Sequence, residues 1–285
     1  MRSSSPVTEN AQIDLDQFIG KIAQAQVSCL LLDYDGTLAP FSIDRGRAFP
    51  YPGVVPLLRK IMATGRTRLA IVTGRSASEV LPLLGLDPTP EVWGAHGLER
   101  LRPNGIREVP PLRAEVSQAL AEAGQWLTDQ RLEHFAEYKP GGIAVHWRGV
   151  SEPSAADIRS RVLEGWFPLT ENKFTSLLEF DCGIEIRVAG FDKGRAIRTI
   201  ISEMNSDTPI AYLGDDATDE RAFKALGTRG LSILVRPQRR RSSARLWLKP
   251  PADLVDFLSR WVKACGEIVP QPAASSIVRE LTDGC

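Results

Sequence analysis

Histidine is scarce in this sequence and cysteine is scattered, which excludes several kinds of catalytic and metal centre. The 285 residues include only three histidines and four cysteines. No C-x-x-C pair or other zinc spacing occurs, and no Ser-His-Asp or Cys-His arrangement indicates a nucleophilic triad. The cysteines predict free thiols in a reducing cytoplasm, not a disulfide framework; they are Cys29, Cys182, Cys265 and Cys285.

Net charge and long apolar runs are also missing. The 35 basic and 35 acidic side chains cancel to a formal net charge of zero, so no general attraction to nucleic acid or to an anionic membrane is expected. No apolar run approaches the length of a membrane span. Residues 1–12 are too polar for a secretory signal and predict a short disordered leader. We therefore expect a cytoplasmic protein without nucleic-acid or membrane partners. A monomer is a separate expectation that does not follow from these features.

Short apolar segments alternate with amphipathic helices along much of the chain. The segments are too brief for helices and apolar enough for buried strands; they are Val27–Leu32, Arg68–Val72, Pro209–Leu213 and Leu231–Val235. Helical spacing predicts helices at Ile13–Ala25, Val54–Ala63, Ser76–Leu84, after Asp192, and at Ala252–Val262. This alternation is typical of a doubly wound, mostly parallel, Rossmann-like α/β sheet.

Residues 113–188 follow a different pattern. Ile143–Arg148 and Gly183–Val188 alternate apolar and polar side chains, as half-exposed antiparallel strands do. Helices are predicted at Arg113–Arg131 and after Ser154. We predict an inserted α+β cap domain over residues 113–188, with residues 13–112 and 189–265 as the core and residues 266–285 as a loose tail. The polar face of the cap sheet could be solvated or could cover a cleft.

Polar clusters follow three of the predicted buried strands. Asp33 and Asp35 follow the first, Thr73 the second, and an acidic run that begins at Asp215 a later one. A lone D-x-D-G segment is as often a simple turn, and Thr73-Gly74-Arg75 could merely cap the helix after it. However, the carboxyl ends of parallel strands meet in one crevice. Crowded acidic side chains there need a cation, and oxygen ligands suit Mg²⁺.

These residue types suit phosphoryl transfer. An aspartate can attack phosphorus and form an aspartyl-phosphate. A second acid two residues later can protonate the leaving alkoxide and then deprotonate water. Lys193 and Thr73 supply an ammonium and a hydroxyl for phosphoryl oxygens. His96 is a weaker candidate for lining the cleft, because a lone histidine is more often structural than catalytic. Arg239–Arg241 is predicted to be a solvated surface run.

The ordered motifs carry a family resemblance. Asp33-Tyr34-Asp35-Gly36-Thr37, Thr73, Lys193 and Gly214-Asp215-Asp216 resemble the four motifs of the haloacid dehalogenase (HAD) phosphohydrolases. More narrowly, L-D-Y-D-G-T-L-A-P, V-T-G-R, G-A-H-G-L-E and Y-L-G-D-D-A-T-D-E are similar to segments of trehalose-6-phosphate phosphatases. The resemblance implies that Asp33 is the nucleophile and Asp35 the general acid/base. It implies phosphate binding by Thr73, Gly74, Arg75 and Lys193, and Mg²⁺ binding by Asp33, the Asp35 carbonyl and Asp215, supported by Asp216 or Asp219.

The resemblance extends into the cap, where it is less complete. Glu137, Lys139, Arg148 and Glu185 match residues that would grip sugar hydroxyls, with His146, Arg187 and His96 as further candidates. Three departures from the family pattern lie in the cap: Trp147 replaces a tyrosine, Val188 replaces a proline, and Phe180-Asp181 replaces a Gly-Lys pair. These departures bear on the identity of the substrate and not on the type of reaction.

The expected function is Mg²⁺-dependent hydrolysis of trehalose 6-phosphate through an aspartyl-phosphate. An alternative is a phosphatase of the same fold that acts on another glycosyl phosphate, such as glucosylglycerol phosphate or mannosylglycerate phosphate. A phosphosugar mutase and a non-catalytic sugar-phosphate sensor are further alternatives. The acid at position 35 disfavours the sensor, because a binding module needs no group for proton transfer.

Overall fold

An eight-stranded sheet forms the centre of the core of the protein. The structure is a computed structural model that describes residues 6–266. The strands of this sheet are β1 (Ser28–Leu32), β2 (Thr67–Val72), β3 (Glu91–Gly94), β4 (Glu99–Leu101), β5 (Arg107–Glu108), β10 (Ile210–Gly214), β11 (Leu231–Val235) and β12 (Leu246–Leu248). The spatial order is β12-β11-β10-β1-β2-β3-β4-β5. Pairing is parallel from β12 to β3 and antiparallel at β4 and β5. The predicted doubly wound, mostly parallel core is confirmed.

Helices cover both faces of this sheet because its central strands are apolar on both sides. Leu30 and Leu32 of β1 join one hydrophobic core, whereas Cys29 and Leu31 join the other. The helices of the core are α1 (Pro6–Gln24), α2 (Val54–Ala63), α3 (Ala77–Leu84), α6 (Lys193–Ser202), α7 (Asp219–Leu226) and α8 (Ala252–Gly266). None of the helices in residues 6–266 is long and apolar enough to cross a bilayer.

A second sheet, which is antiparallel, is formed by the segment of the chain between β5 and β10. Its strands are β6 (Ala136–Lys139), β7 (Gly142–His146), β8 (Thr175–Phe180) and β9 (Gly183–Val188), in the order β6-β7-β9-β8. One face packs on α4 (Ala114–Asp129) and α5 (Glu152–Trp166) through a separate hydrophobic core. The opposite face carries the predicted polar residues, since Glu137 and Glu185 both register with Ala144. The predicted limits of the cap, residues 113–188, stay a prediction, although all of these elements lie within them.

Some local predictions differ from the structure. Helix α1 begins at Pro6, so residues 6–12 of the predicted disordered leader are helical. Proline suits the first turn of a helix, but the polar residues after it have no apolar period to reveal one. Helix α5 is preceded by Ser151 and not by Ser154, because Pro153 also belongs in a first turn. Residues 1–5 and most of the predicted tail, 267–285, lie outside the described residues.

The hydrophobic core of the cap generates a stability prediction. Trp166 is fully buried, whereas the adjacent Phe167 is 64% exposed. Trp166→Ala should lower the free energy of unfolding by about 3–5 kcal/mol because it leaves a large cavity. Phe167→Ala should cost less than about 0.5 kcal/mol. Urea denaturation of both variants checks this; equal losses would contradict the packing described for the cap.

Candidate active site

Three predicted site residues lie side by side because of the strand order. Asp33 follows β1, Thr73 follows β2 and Asp215 follows β10, and β1 lies between the other two strands. The strands are parallel, so their carboxyl ends reach the same edge of the sheet. The fourth predicted site residue, Lys193, is the first residue of α6. All four residues are at least 97% buried.

A group of carboxylates surrounds the Lys193 ammonium. Its Nζ lies 2.6 Å from Asp33 Oδ1 and 2.8 Å from Asp219 Oδ1. Asp33, Asp215 and Asp219 each offer an oxygen within 4.8 Å of the others. Three carboxylates therefore share one buried ammonium, which leaves an excess of negative charge if all of them are ionised.

Asp219 is the best satisfied member of this group. Its Oδ2 accepts the backbone N–H groups of Asp215 and Asp216, both at 3.0 Å. Its Oδ1 accepts the Tyr212 hydroxyl as well as Lys193. Because both oxygens are occupied, Asp219 mainly shapes the acidic loop and orients the lysine.

The side chain of Asp215, unlike that of Asp219, lacks hydrogen-bond donors among the described residues. No donor in residues 6–266 makes a hydrogen bond to its buried carboxylate. Gly36 makes room for this carboxylate, since a Cβ at position 36 would lie 2.2 Å from Asp215 Oδ2, and the φ of +79° there also favours glycine. The motif glycine thus lets the acid of β10 approach the turn after β1.

The pKa values reflect this crowding. Burial and the charge of Asp219 raise the pKa of Asp33 to about 8. Burial, together with Asp33 and Asp219, also raises the pKa of Asp215 well above its usual range. Burial alone would lower the pKa of Lys193, but Asp219 and Asp33 hold it well above its ordinary value. A divalent cation would compensate the negative charge of such a group.

The oxygen donors of Asp33 and Asp215 suit a hard cation such as Mg²⁺. The side chains of Asp35 and Asp216, two other predicted ligands, are engaged elsewhere. Arg75 binds both oxygens of Asp35 at 2.7 Å, and Asp216 Oδ1 accepts the N–H and hydroxyl of Thr218 at 2.8 and 2.6 Å. The predicted role of the Asp35 backbone carbonyl is independent of that pairing.

The three residues of the Thr73-Gly74-Arg75 loop make different contacts. Thr73 Oγ1 accepts the backbone N–H of Arg75 at 3.1 Å. Gly74 lets His96 approach, because a Cβ at position 74 would lie 2.7 Å from the imidazole. The Arg75 guanidinium forms the two-point pair with Asp35, and its predicted contact with phosphate stays a prediction. Ser76, not Thr73, is the residue that caps α3.

The polar face of the cap sheet lies against this loop and lines the same cavity as Asp33. Lys139 Nζ donates to the Gly74 carbonyl at 3.1 Å and lies 3.0 Å from Glu185 Oε2. The imidazole of His96 lies 3.3 Å from the same carboxylate. Burial opposes ionisation of Glu185, but Lys139 and His96 lower its pKa to about 2. The cavity above Asp33 measures about 120 Å³, and an adjoining one measures about 490 Å³.

Two buried polar atoms at this junction, His96 Nδ1 and Arg187 Nε, have no partner within the described chain, and a third, Glu185 Oε2, is held only by its ion pairs with Lys139 and His96. Unpaired buried polar atoms are costly. All three belong to side chains that the sequence marks as substrate-binding candidates. A sugar hydroxyl both donates and accepts, so a polyhydroxylated ligand could satisfy them.

Among the remaining cap candidates, His146 and Arg148 line the cavity above Asp33, and Arg187 lines the adjoining one. His146 Nε2 and Glu137 Oε2 are 2.6 Å apart. Arg148 binds Asp181 at 2.7 Å, and its guanidinium lies 4.9 Å from the centre of the Phe41 ring. Phe180 and Asp181, two of the residues that depart from the family pattern, line both cavities.

Sequence reasoning missed two arginines. Arg45, in the loop after β1, donates to Glu137 Oε1 at 3.1 Å and contacts His146. Arg240 donates to the carbonyl of Asp216 at 2.7 Å and to Glu220 at 2.6 Å, so the prediction that Arg239–Arg241 is only a solvated run is wrong for its middle residue. A loop arginine has no period or motif that would reveal such distant partners.

The fold is the one seen in phosphatases of the HAD superfamily, since the chain resembles the solved BT1666 of Bacteroides thetaiotaomicron with a TM-score of 0.56 at 17% identity, over 83% of this chain and 95% of that one. Residues 31–251 match the family model described as trehalose-phosphatase, and the chain belongs to that family.

Curated and solved relatives agree with this family. The chain is 30% identical over 264 residues to trehalose-phosphate phosphatase B of Arabidopsis thaliana, covering 85% of this chain and 68% of that protein. It is 28% identical over 258 residues to a trehalose-phosphate phosphatase of Mycobacterium tuberculosis H37Rv. That match covers 85% of this chain, but this chain spans only 63% of the mycobacterial protein. A solved trehalose-6-phosphate phosphatase related protein shares 26% identity and a TM-score of 0.64, over 84% of this chain and 97% of that one.

The uncompensated Asp215 generates a prediction about metal binding. Asp215→Asn should raise the melting temperature of the metal-free protein by a few degrees, because a neutral amide avoids the free-energy cost of burying an acid beside Asp33 and Asp219. Mg²⁺ should raise the melting temperature of the unchanged protein, since a ligand of the folded state stabilises it, but not that of the variant. Thermal scans in EDTA and in Mg²⁺ measure both effects. A parent protein indifferent to Mg²⁺ would contradict the assignment.

Proposed function

We propose that the protein is a Mg²⁺-dependent phosphatase that releases phosphate from trehalose 6-phosphate through an aspartyl-phosphate. The observation that carries the proposal is the shared cavity: Asp33 and Lys193 line it from the core, and Lys139, His146 and Glu185 line it from the cap. Phosphoryl chemistry and sugar recognition would thus meet in one place. The names of the curated relatives support the same substrate for this chain.

In the first half-reaction, Asp33 attacks phosphorus and the sugar alkoxide leaves. Thr37 donates to Asp33 Oδ2 at 3.2 Å and Lys193 to Oδ1, so the nucleophile is held in one orientation before the substrate arrives. Lys193 and Thr73 are the donors for the phosphoryl oxygens. Asp35 gives its proton to the leaving oxygen.

In the second half-reaction, water attacks the aspartyl-phosphate. Asp35, now ionised, accepts a proton from that water, and Asp33 is restored as a carboxylate. Arg75 fixes the direction of the Asp35 carboxyl through its two-point contact. Mg²⁺ held by Asp33 and Asp215, when bound, would supply positive charge that reduces repulsion between the nucleophile and the phosphate.

The cap would provide specificity. Glu137 and Glu185 are charged acceptors at opposite sides of Lys139, and each can bind a sugar hydroxyl. A site whose buried polar groups require hydroxyl partners discriminates strongly against ligands that lack them. The predicted monomeric state and cytoplasmic location stay predictions.

The same geometry also suits another glycosyl phosphate, such as glucosylglycerol phosphate or mannosylglycerate phosphate. Trp147, Phe180-Asp181 and Val188 favour keeping this alternative because they depart from the family pattern in the substrate-selecting domain. A phosphosugar mutase would yield an isomer without free phosphate, and a sensor would bind without turnover. Free phosphate therefore separates the proposal from both of them.

Asp33→Asn should reduce phosphate release by at least about 1,000-fold, because an amide cannot form the acyl-phosphate. EDTA should stop the unchanged enzyme and Mg²⁺ should restore it. Circular dichroism of the variant controls for folding. Substantial activity in a folded Asp33→Asn variant would eliminate the aspartyl-phosphate mechanism.

A panel of sugar phosphates tests the substrate. We expect kcat/KM for trehalose 6-phosphate to exceed that for glucose 6-phosphate and the two alternative glycosyl phosphates by at least about tenfold, or about 1.4 kcal/mol. Glu185→Gln should reduce that preference while hydrolysis of p-nitrophenyl phosphate, which has no sugar, stays within about threefold. A parent enzyme with no preference for trehalose 6-phosphate would refute the substrate assignment.

A further inference from the structure

Arg45 connects the loop after β1 to the cap. It begins a short helical turn, Arg45–Arg47, that Asp44 caps through the N–H of Gly46 at 2.9 Å. The Arg45 guanidinium lies 2.7 Å from Glu137 Oε2 and 2.6 Å from His146 Nε2. Glu137 and His146 belong to neighbouring strands of the cap sheet, so Arg45 spans two strands of the cap from one position in the core.

The backbone of Arg45 is connected to Asp35, the candidate acid/base, through hydrogen bonds made by Arg75. Its carbonyl accepts a hydrogen bond from Arg75 Nη1 at 2.9 Å. The other two donors of the same guanidinium, Nε and Nη2, both bind Asp35. Arg75 is only 4% exposed and lies 5.6 Å from the centre of the Tyr34 ring. The guanidinium is planar, so fixing its third nitrogen also fixes the plane of the Asp35 carboxyl.

These contacts form one continuous series from cap to acid: Glu137 and His146, the Arg45 side chain, the Arg45 carbonyl, Arg75 and Asp35. We infer that Arg45 is a positioning residue that makes the orientation of Asp35 depend on docking of the cap. The inference rests on the proposed role of Asp35 as general acid/base. When the cap moves away, the Arg45 side chain loses Glu137 and His146, and its carbonyl is no longer anchored from that side.

The neighbouring Arg47 provides a matched control. It lies in the same helical turn, is exposed, and its side chain makes no hydrogen bond or ion pair to any of residues 6–266. Arg45→Ala and Arg47→Ala remove the same charge from the same loop, two residues apart. General effects of loop charge should therefore appear in both variants, and the effect of the contact series only in the first.

Two substrates separate a positioning role from a simple sugar contact. Asp35 activates water on an aspartyl-phosphate that trehalose 6-phosphate and p-nitrophenyl phosphate both produce. Arg45→Ala should therefore lower kcat about 10- to 100-fold on both substrates, with KM changed less than about threefold, while Arg47→Ala stays within twofold. Arg45→Lys, which keeps the charge without the planar fork, should recover part of the lost kcat. A raised KM for the sugar phosphate alone, with p-nitrophenyl phosphate unaffected, would overturn the inference.

Hydrogen exchange provides a readout that needs no activity. In Arg45→Ala, the amides of the Arg45–Arg47 turn and of β6 should exchange at least about tenfold faster than in the parent, whereas Arg47→Ala should match the parent. Unchanged exchange in a folded Arg45→Ala variant would also overturn the inference. If the parent hydrolyses p-nitrophenyl phosphate but no sugar phosphate, the proposed substrate fails while the positioning role can still be measured.

Discussion

The buried ion pairs of Lys193 determine what the rest of this site can do. The ammonium contacts Asp33 and Asp219, and Asp215 belongs to the same group of carboxylates. Charges removed from water interact strongly and are expensive unless they are paired. Asp219 is paired by backbone N–H groups, the Tyr212 hydroxyl and the lysine, whereas Asp215 is not. Asp219 therefore organises the acidic loop after β10, whereas Asp33 and Asp215 can hold a cation.

The order of the strands produces this group of charges. Asp33 can meet Asp215 and Thr73 together only because β1 lies between β10 and β2. Gly36 then permits the close approach that a side chain would block. The connection from the cap returns to the core at the same point, since β9 ends at Val188 and α6 begins at Lys193. Lys193, whose ammonium pairs with two of the carboxylates, therefore lies only five positions beyond the sheet that would bind the sugar.

Local patterns were sufficient to predict much of this arrangement. Apolar strands that end in Asp33, Thr73 or Asp215 indicate a common crevice whatever their exact order, and alternation in β7 and β9 indicates a polar cap face. Strands β5 and β12 have two and three residues, too few for any periodicity. The pairing of Arg45 with Glu137 joins residues 92 positions apart, and the pairing of Arg75 with Asp35 depends on side-chain conformations. The assignment of Arg75 to phosphate rests on motif position alone and stays a prediction.

The two parts of the molecule meet through contacts beside two candidate groups of the proposed reaction, the Thr73–Arg75 loop and Asp35. Lys139 of the cap binds the Gly74 carbonyl, next to the residue expected to hold the phosphoryl group. Arg45 binds the cap on the side of Asp35, which would serve the leaving oxygen. A single docking movement of the cap would therefore order the phosphate loop and the acid together. Since Glu137 and His146 already bind Arg45, a sugar would share these side chains with Arg45, which links recognition of the sugar to the position of the acid.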